Sequence, residues 1–160
     1  MDTQWRTMVT GVLAGCIAST GQAAVGKSLE KLILPRREDA DIAPRAVKAI
    51  GKRLGRTPSP TEKWVAGTVF HYAYGAGWGV AYALLRERLL MLDPLLGGGV
   101  MGGVIYGITF PRWGLATLTR AERPPKHRTA RMEVVAASVA FGFGIMAAYA
   151  YESLRARHTE

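Results

Sequence analysis

His71 is the residue of this chain that is best placed for chemistry inside a membrane. It lies within a stretch from Trp64 to Leu85 that contains no Asp, Glu, Lys or Arg. At about 1.5 Å per residue, a helix of this length spans the roughly 30 Å of the hydrocarbon core of a bilayer. An ionisable side chain at that depth is a candidate functional residue by default.

Two roles for His71 follow from its side chain and its neighbours. As a neutral imidazole it would hydrogen-bond to a neighbouring helix, for instance at Ser19, Thr20 or Tyr106, as polar side chains do between membrane helices. As an axial ligand it would bind a haem or a chlorophyll-type ring, with Gly67 one turn earlier leaving room for the macrocycle.

Other kinds of chemistry have less support in the sequence. A proton or substrate site at His71 would need further acids or bases inside the membrane, but Glu133 and Glu152 fall near the ends of a predicted helix. His127 and His158 lie in polar segments and have no metal-ligand spacing. The sequence places no Ser-His-Asp set, carboxylate pair or Cys-His cluster for catalysis. We therefore expect a protein that is not an enzyme and needs no cofactor, unless His71 binds a ring.

A nucleotide-binding pattern is also present. Residues 21–28 read Gly-Gln-Ala-Ala-Val-Gly-Lys-Ser and match the P-loop form GxxxxGK[ST]. A P-loop needs a buried strand before it and an α/β sheet around it. The rest of the chain offers apolar blocks of membrane length and no alternating strand pattern. We interpret the match as accidental.

Four apolar blocks predict the helices that position these residues. They are separated by polar segments and cover about residues 8–25, 64–85, 95–111 and 132–151. Runs of this composition are typical of transmembrane helices. The second has a clear start, with Ser59 as N-cap, Pro60 at the first helical position and Glu62 as the capping-box partner. The prediction is an all-α membrane protein, a four-transmembrane-helix bundle formed by one domain over residues 1–160.

Glycines recur at helical spacing in these blocks and predict close helix packing. Small residues four apart let helix backbones approach where lipid provides no hydrophobic drive for association. The candidate packing residues are Gly11, Gly15, Gly75, Gly79, Gly99, Gly103, Gly107 and Gly144. The two halves of the chain also resemble each other, with Gly75 aligned to Gly142, which predicts two parallel helical-hairpin repeats.

A basic segment of about residues 41–56 is predicted to form an amphipathic helix between the first two blocks. Its basic side chains are Arg45, Lys48, Lys52, Arg53 and Arg56. On a membrane surface they would contact the headgroups of anionic lipids. The alternative is a solvated helix that packs on the protein's own loops.

The basic residues also predict the orientation. The net charge of +9 could indicate nucleic-acid binding, but the connections 26–63 and 119–131 hold ten and five of the 21 Lys and Arg residues. Such segments face the cytoplasm in multi-pass proteins. We therefore expect a bacterial cytoplasmic (inner) membrane protein with both termini on the non-cytoplasmic side, and no nucleic-acid partner.

The run from His71 to Tyr82, His-Tyr-Ala-Tyr-Gly-Ala-Gly-Trp-Gly-Val-Ala-Tyr, is the most distinctive stretch of the sequence. Together with Gly-Gly-Val-Ile-Tyr-Gly at 102–107 it resembles a group of uncharacterised bacterial inner-membrane proteins related to YagU. Proteins of that group often carry a further histidine in the last helix, where this chain has Ser138 and Ala140. The resemblance implies a membrane protein and no particular reaction.

The expected function is that of a non-catalytic accessory or assembly subunit of a larger membrane complex. Four helices bury only some of their small-residue faces, which leaves others for a partner. One alternative is a small transporter or channel that acts as a homo-oligomer. Another is a haem- or pigment-binding subunit through His71. The expected partners are membrane lipids and either another membrane protein or a second copy of the chain.

Overall fold

The computed structural model describes residues 3–34, 42–88, 92–118 and 129–157, and these ranges are helical apart from short turns. The helices are α1 (Thr3–Ile33), α2 (Ile42–Arg53), α3 (Pro60–Arg88), α4 (Pro94–Thr109), α5 (Leu115–Leu118) and α6 (Ala130–Ala156). The described ranges contain no strand. The prediction of an all-α protein is confirmed.

Two of the helices are long and apolar enough to cross a membrane, judged by length and composition. They are α1, over Gln4–Ile33, and α6, over Ala130–Ala156. Helix α4 is apolar but has 16 residues. Helix α3 has 29 residues but a lower mean hydropathy, because much of it is glycine, tyrosine, tryptophan and histidine. Membrane spanning by α3 and α4 stays a prediction.

The four longer helices pack along one another. Helix α1 lies against both α3 and α6, and α4 lies against α6. The contacts run antiparallel, since Gly11 of α1 meets Gly79 of α3 and Ser19 meets His71. Helices α1 and α4 therefore point one way, and α3 and α6 point the other.

Glycines bring α1 and α3 into backbone contact. A Cβ atom added at Gly11 would lie 2.8 Å from the carbonyl oxygen of Gly79, and one added at Gly79 would lie 2.7 Å from the nitrogen of Gly15. A Cβ at Gly75 would in turn meet the side chain of Ser19. These positions have no room for a side chain without a shift of the helices.

The pair α4 and α6 has a contact of the same kind. A Cβ at Gly98 would lie 2.6 Å from the Cα atom of Ile145, and one at Gly102 would lie 2.6 Å from the Cα atom of Phe141. A Cβ at Gly144 would lie 2.7 Å from the nitrogen of Gly102. In each helix pair, glycines of both helices thus contact the backbone of the other helix.

The packing face of α4 lies one residue earlier than the series Gly99, Gly103 and Gly107 predicts. Apart from the adjacent residues and backbone of α4 itself, no atom of the described residues lies within 4 Å of a Cβ at Gly99 or Gly107, and Gly103 meets one aromatic ring at an ordinary 3.7 Å. The physical reason is the burial of Met101 and Ile105. On a helix these two share a face with Gly98 and Gly102, so burying them turns the later glycine series outward.

Helices α3 and α4 are held apart by aromatic side chains. The Tyr74 hydroxyl lies 2.8 Å from the Thr109 hydroxyl, and the Tyr82 hydroxyl lies 3.3 Å from the position of a Cβ at Gly97. Trp78, between the two tyrosines, packs against the buried core. The interior therefore combines two close glycine contacts with one wider seam filled by rings.

The start of α3 agrees with the sequence prediction. The Glu62 amide donates to the Ser59 hydroxyl at 3.2 Å, and the Ser59 amide donates back to the Glu62 carboxylate at 2.8 Å. These hydrogen bonds, together with nearby Arg56, hold the pKa of Glu62 below its usual value. The capping box is confirmed.

Helix α2 packs on the beginning of α3. A Cβ at Gly67 would lie 3.4 Å from the nitrogen of Pro44, and Gly51 is buried against the ring of Pro58. This packing on α3 leaves both predicted surroundings of the basic face open, so the contact with lipid headgroups stays a prediction. Asp41 and residues 119–128 of the second basic connection lie outside the described residues.

Candidate functional site

His71 hydrogen-bonds to the backbone of α1. Its Nε2 atom lies 3.0 Å from the carbonyl oxygen of Ser19, and the ring is half-buried. A carbonyl oxygen accepts only, so Nε2 carries the proton and donates it. This is an interhelical hydrogen bond of the kind that the sequence predicts, made to the main chain of Ser19 rather than to its hydroxyl.

The other polar side chains of this region also have partners. The Thr20 hydroxyl lies 3.0 Å from the Tyr72 hydroxyl and 3.1 Å from the Cys16 carbonyl oxygen. The Gln22 amide nitrogen donates to the Val139 carbonyl oxygen of α6 at 3.4 Å. These groups link α1 to its two neighbours, and their hydrogen-bonding capacity is directed into the protein.

The space beside Gly67 does not fit a macrocycle. The sequence predicts that this glycine leaves room for a ring bound by His71. In the structure Ala43 and Pro44 of α2 fill that space, with atoms 3.4–3.6 Å from the position of a Cβ. The Nε2 atom, the usual ligand of a haem iron, is also committed to Ser19. Both observations count against the ring-binding role.

The Ser19 hydroxyl is an exception to this pairing, as is the Tyr82 hydroxyl further along α3. Ser19 is 0% exposed, and its Oγ atom has no hydrogen-bond partner within the described part of the chain. It occupies the gap left by the missing side chain of Gly75. Because an unpaired buried hydroxyl costs free energy, the close approach of α1 and α3 must offset that cost.

A charged cluster at one end of the helices is not predicted from the sequence. The Arg86 Nε atom lies 2.5 Å from the Glu152 Oε1 atom, the Arg155 Nε atom lies 3.3 Å from the Glu87 Oε1 atom, and the Tyr151 hydroxyl donates to the same Glu87 oxygen at 3.1 Å. We call these five residues the end cluster. It joins α3 to α6, which otherwise touch little. The signal in the sequence is the pair of charged helix ends, Arg86-Glu87-Arg88 and Glu152 to Arg155.

The P-loop pattern has no loop. Residues 21–28 lie inside the continuous helix α1, and the Ser28 hydroxyl donates to the Ala24 carbonyl oxygen at 2.9 Å. Their amide groups are used in the helix, so they cannot cradle a phosphate. Within the described residues, no three His, Cys, Asp or Glu side chains gather as a metal site would require.

The interhelical bond of His71 predicts a measurable loss of stability. His71→Phe keeps a ring of similar size and removes the donor, so we expect about 1 kcal/mol of destabilisation. The measurement is unfolding in detergent followed by circular dichroism, with Tyr72→Phe as a control that removes a more exposed hydrogen bond. A visible absorbance band of the purified protein that disappears in His71→Phe would contradict this assignment and restore the ring-binding role.

Comparisons with known proteins add no assignment to this geometry. The resemblance to the YagU-related group stays a prediction, as do the roles that follow from it. No protein-family model matches the chain, and neither a curated protein nor a solved structure matches it.

Proposed function

We propose that this chain is a non-catalytic, multi-pass protein of the bacterial inner membrane that acts as an accessory or assembly subunit. Its helices α1, α3, α4 and α6 span the bilayer, and it docks on a larger membrane complex through the outer side of α4. The observation that carries the proposal is that outer side, formed by Leu96, Gly99, Val100, Gly103, Val104 and Gly107. We call it the α4 outer face.

The distribution of exposed apolar side chains supports the membrane location. Each long helix turns large aliphatic residues away from the core, including Ile17 at 53%, Val69 at 63%, Val100 at 55% and Val134 at 53% exposed. Soluble proteins rarely expose apolar surface along all of their helices. Lipid would cover these side chains.

Exposed tryptophans near the helix ends fit the same location. Trp5 is 54% exposed near the start of α1, and Trp64 and Trp113 are 69% and 65% exposed at the opposite end of the structure. Tryptophan is enriched at both membrane–water interfaces. With the basic connections 26–63 and 119–131 in the cytoplasm, both termini would lie on the other side.

The two glycine contacts support the idea of two parallel helical hairpins. Helices α1 and α3 form one antiparallel pair and α4 and α6 form another, each closed by backbone contact. The contacts suggest a repeat register in which Gly79 corresponds to Gly144, two residues away from the alignment made from sequence. In that register Gly77 and Gly142 correspond, and neither has a described atom within 4 Å of its Cβ position.

The α4 outer face has the properties of a helix-docking surface. Gly99 and Gly107 have open space at their Cβ positions, while Val100 and Val104 beside them are 55% and 45% exposed. Glycines four apart form a shallow groove into which another helix can pack its backbone closely. The glycines that the fold itself needs, Gly98 and Gly102, lie on the other side of the helix. Gly99 and Gly107 are therefore available to a partner, while the Phe141 ring lies against Gly103 between them.

Substitution of Gly99 tests docking without disturbing the fold. Gly99→Leu fills the groove at a position with open space, so thermal stability should stay unchanged. Purification in mild detergent followed by mass spectrometry should recover a larger membrane protein with the wild type. We expect at least a fivefold lower yield of that partner with Gly99→Leu.

Ala23→Leu is the matched control, since it makes the same kind of change at an exposed site of α1. It should leave the partner's yield unchanged. A wild-type protein that elutes alone would contradict the accessory role. If it elutes as a dimer that Gly99→Leu dissociates, the α4 outer face serves self-association instead.

A further inference from the structure

Four basic side chains of α2 line one cleft. The cleft has a volume of about 460 Å³, and its lining residues are Arg45, Lys48, Ala49, Lys52 and Arg53. These positions follow the i, i+3, i+4, i+7 spacing of one helix face. We call it the α2 cleft. Its described lining holds four positive charges and no acidic group.

The helix that carries this cleft is fixed in place on its other side. Ala46 is 5% exposed, and Pro44 and Gly51 pack against Gly67 and Pro58. One side chain of the cleft is anchored as well, because the Arg53 guanidinium donates to the Leu118 carbonyl oxygen of α5 at 3.0 Å. The basic face is therefore held in one orientation by its attachment to α3 and α5.

The positive charges of the two lysines in the cleft are not neutralised by an acidic side chain of the described residues. Lys48 and Lys52 are exposed, and neither forms an ion pair with a described residue. They lie four residues apart on the helix, where like charges repel. An anion bound between them would remove that repulsion. Elsewhere in the described structure, exposed Arg56 pairs with Glu62, so the cleft differs from the surface beside it.

We infer that the α2 cleft binds an anion that carries at least two phosphate groups. Guanidinium groups bind phosphate oxygens through two parallel hydrogen bonds, and lysine adds compact positive charge. Lys48, Lys52 and Arg53 carry three positive charges that no acidic group of the described residues neutralises, which is more than one phosphate needs. The chemistry is shared by the diphosphate headgroup of an anionic lipid such as cardiolipin and by a free polyphosphate. The lipid source rests on the proposed location of α2 at the membrane surface, which the inference deepens.

The test uses the full chain in nanodiscs and two probes. Pyrophosphate is titrated into protein in zwitterionic nanodiscs and followed by calorimetry. Retention of cardiolipin over phosphatidylglycerol is counted by native mass spectrometry at matched lipid charge. The double variant Lys48→Gln/Lys52→Gln should lower the affinity for the probe that the wild type binds more tightly at least tenfold. Its circular dichroism spectrum should stay unchanged.

A matched control is present on α1. Lys27 and Lys31 are exposed, four residues apart and equal in charge to the cleft lysines, so Lys27→Gln/Lys31→Gln should change affinity less than twofold. Equal losses of affinity in both double variants would contradict a specific site, since diffuse surface charge would then explain binding. Failure of the wild type to bind either probe saturably would also overturn it.

The two probes also show whether the ligand that carries the phosphate groups is a lipid or a soluble anion. Selective cardiolipin retention with weak pyrophosphate binding supports a lipid ligand, and the reverse supports a soluble one. Recovery of the docking partner is measured separately on Lys48→Gln/Lys52→Gln. Unchanged recovery together with lost phosphate binding supports a site distinct from the α4 outer face. A failed docking experiment would leave the pyrophosphate result intact.

Discussion

Gly102→Ala should destabilise the protein by about 2 kcal/mol, whereas Gly103→Ala, one residue later, should stabilise it slightly. Alanine is favoured over glycine inside a helix by about 1 kcal/mol, and this gain applies to both variants. At Gly102 the new methyl group would lie 2.6 Å from the Cα atom of Phe141 and 3.0 Å from the Ala140 carbonyl oxygen. Forcing α4 and α6 apart costs about 3 kcal/mol when backbone cannot yield. At Gly103 the nearest atom is 3.7 Å away.

Reversible unfolding in mixed detergent micelles, followed by circular dichroism, measures the difference. Helix α3 offers a second pair with the same logic: Gly79 faces α1 closely and Gly77 has open space in the described structure. Gly79→Ala should therefore be harmful and Gly77→Ala should not. If Gly103→Ala lowers the free energy of unfolding more than Gly102→Ala does, then α4 packs through the face of Gly103 that the sequence predicts, and not through the face of Gly102.

Glycine spacing predicts the packing face correctly in α1 but not in α4. In α1, Gly11 and Gly15 form one series spaced by four, and the contact with α3 uses that series. In α4 two such series overlap, Gly98 and Gly102 beside Gly99 and Gly103. Spacing alone cannot choose between them. The choice depends on which large side chains face the partner helix, and that is a property of the tertiary structure.

Features that depend on neighbouring residues are predictable from the sequence, whereas contacts between distant segments are not. The Ser59 capping box and the start of α3 depend on residues within one turn, and both were predicted. The predicted role of Gly67 is wrong because Pro44, a residue 23 positions earlier, fills the space beside it. The hydrogen bond of His71 was predicted in kind because a half-buried imidazole needs a partner. Its acceptor, a main-chain oxygen, has no signature in the sequence.

The end cluster was missed for the same reason. Arg86 and Glu152 are 66 residues apart, and the sequence places Glu152 only near the end of a predicted helix. Opposite charges at two helix ends do not show that the ends meet. The structure places them in contact with side chains that are 20% and 25% exposed. Such burial decides how much an ion pair contributes, since solvent screens exposed pairs strongly.

A double-mutant cycle on Arg86 and Glu152 should therefore give a coupling free energy of about 2 kcal/mol. Arg86→Gln alone leaves the Glu152 carboxylate partly buried with the more distant Arg155, 3.8 Å away. Glu152→Gln alone leaves the guanidinium without its short contact. The double variant Arg86→Gln/Glu152→Gln removes both charges, so its loss should be smaller than the sum of the single losses. Unfolding in detergent micelles measures all four proteins.

The exposed pair Arg56 and Glu62 is the matched control, because it has the same chemistry with side chains that are 72% and 44% exposed. Its cycle should give a coupling below about 0.5 kcal/mol. Glu62 also caps α3, but that contribution is present in both arms of the cycle and cancels. Equal coupling in the two pairs would mean that burial does not strengthen the Arg86 contact. Helices α3 and α6 would then be held together by the Tyr82 and Tyr151 rings, whose centroids lie 5.8 Å apart, rather than by charge.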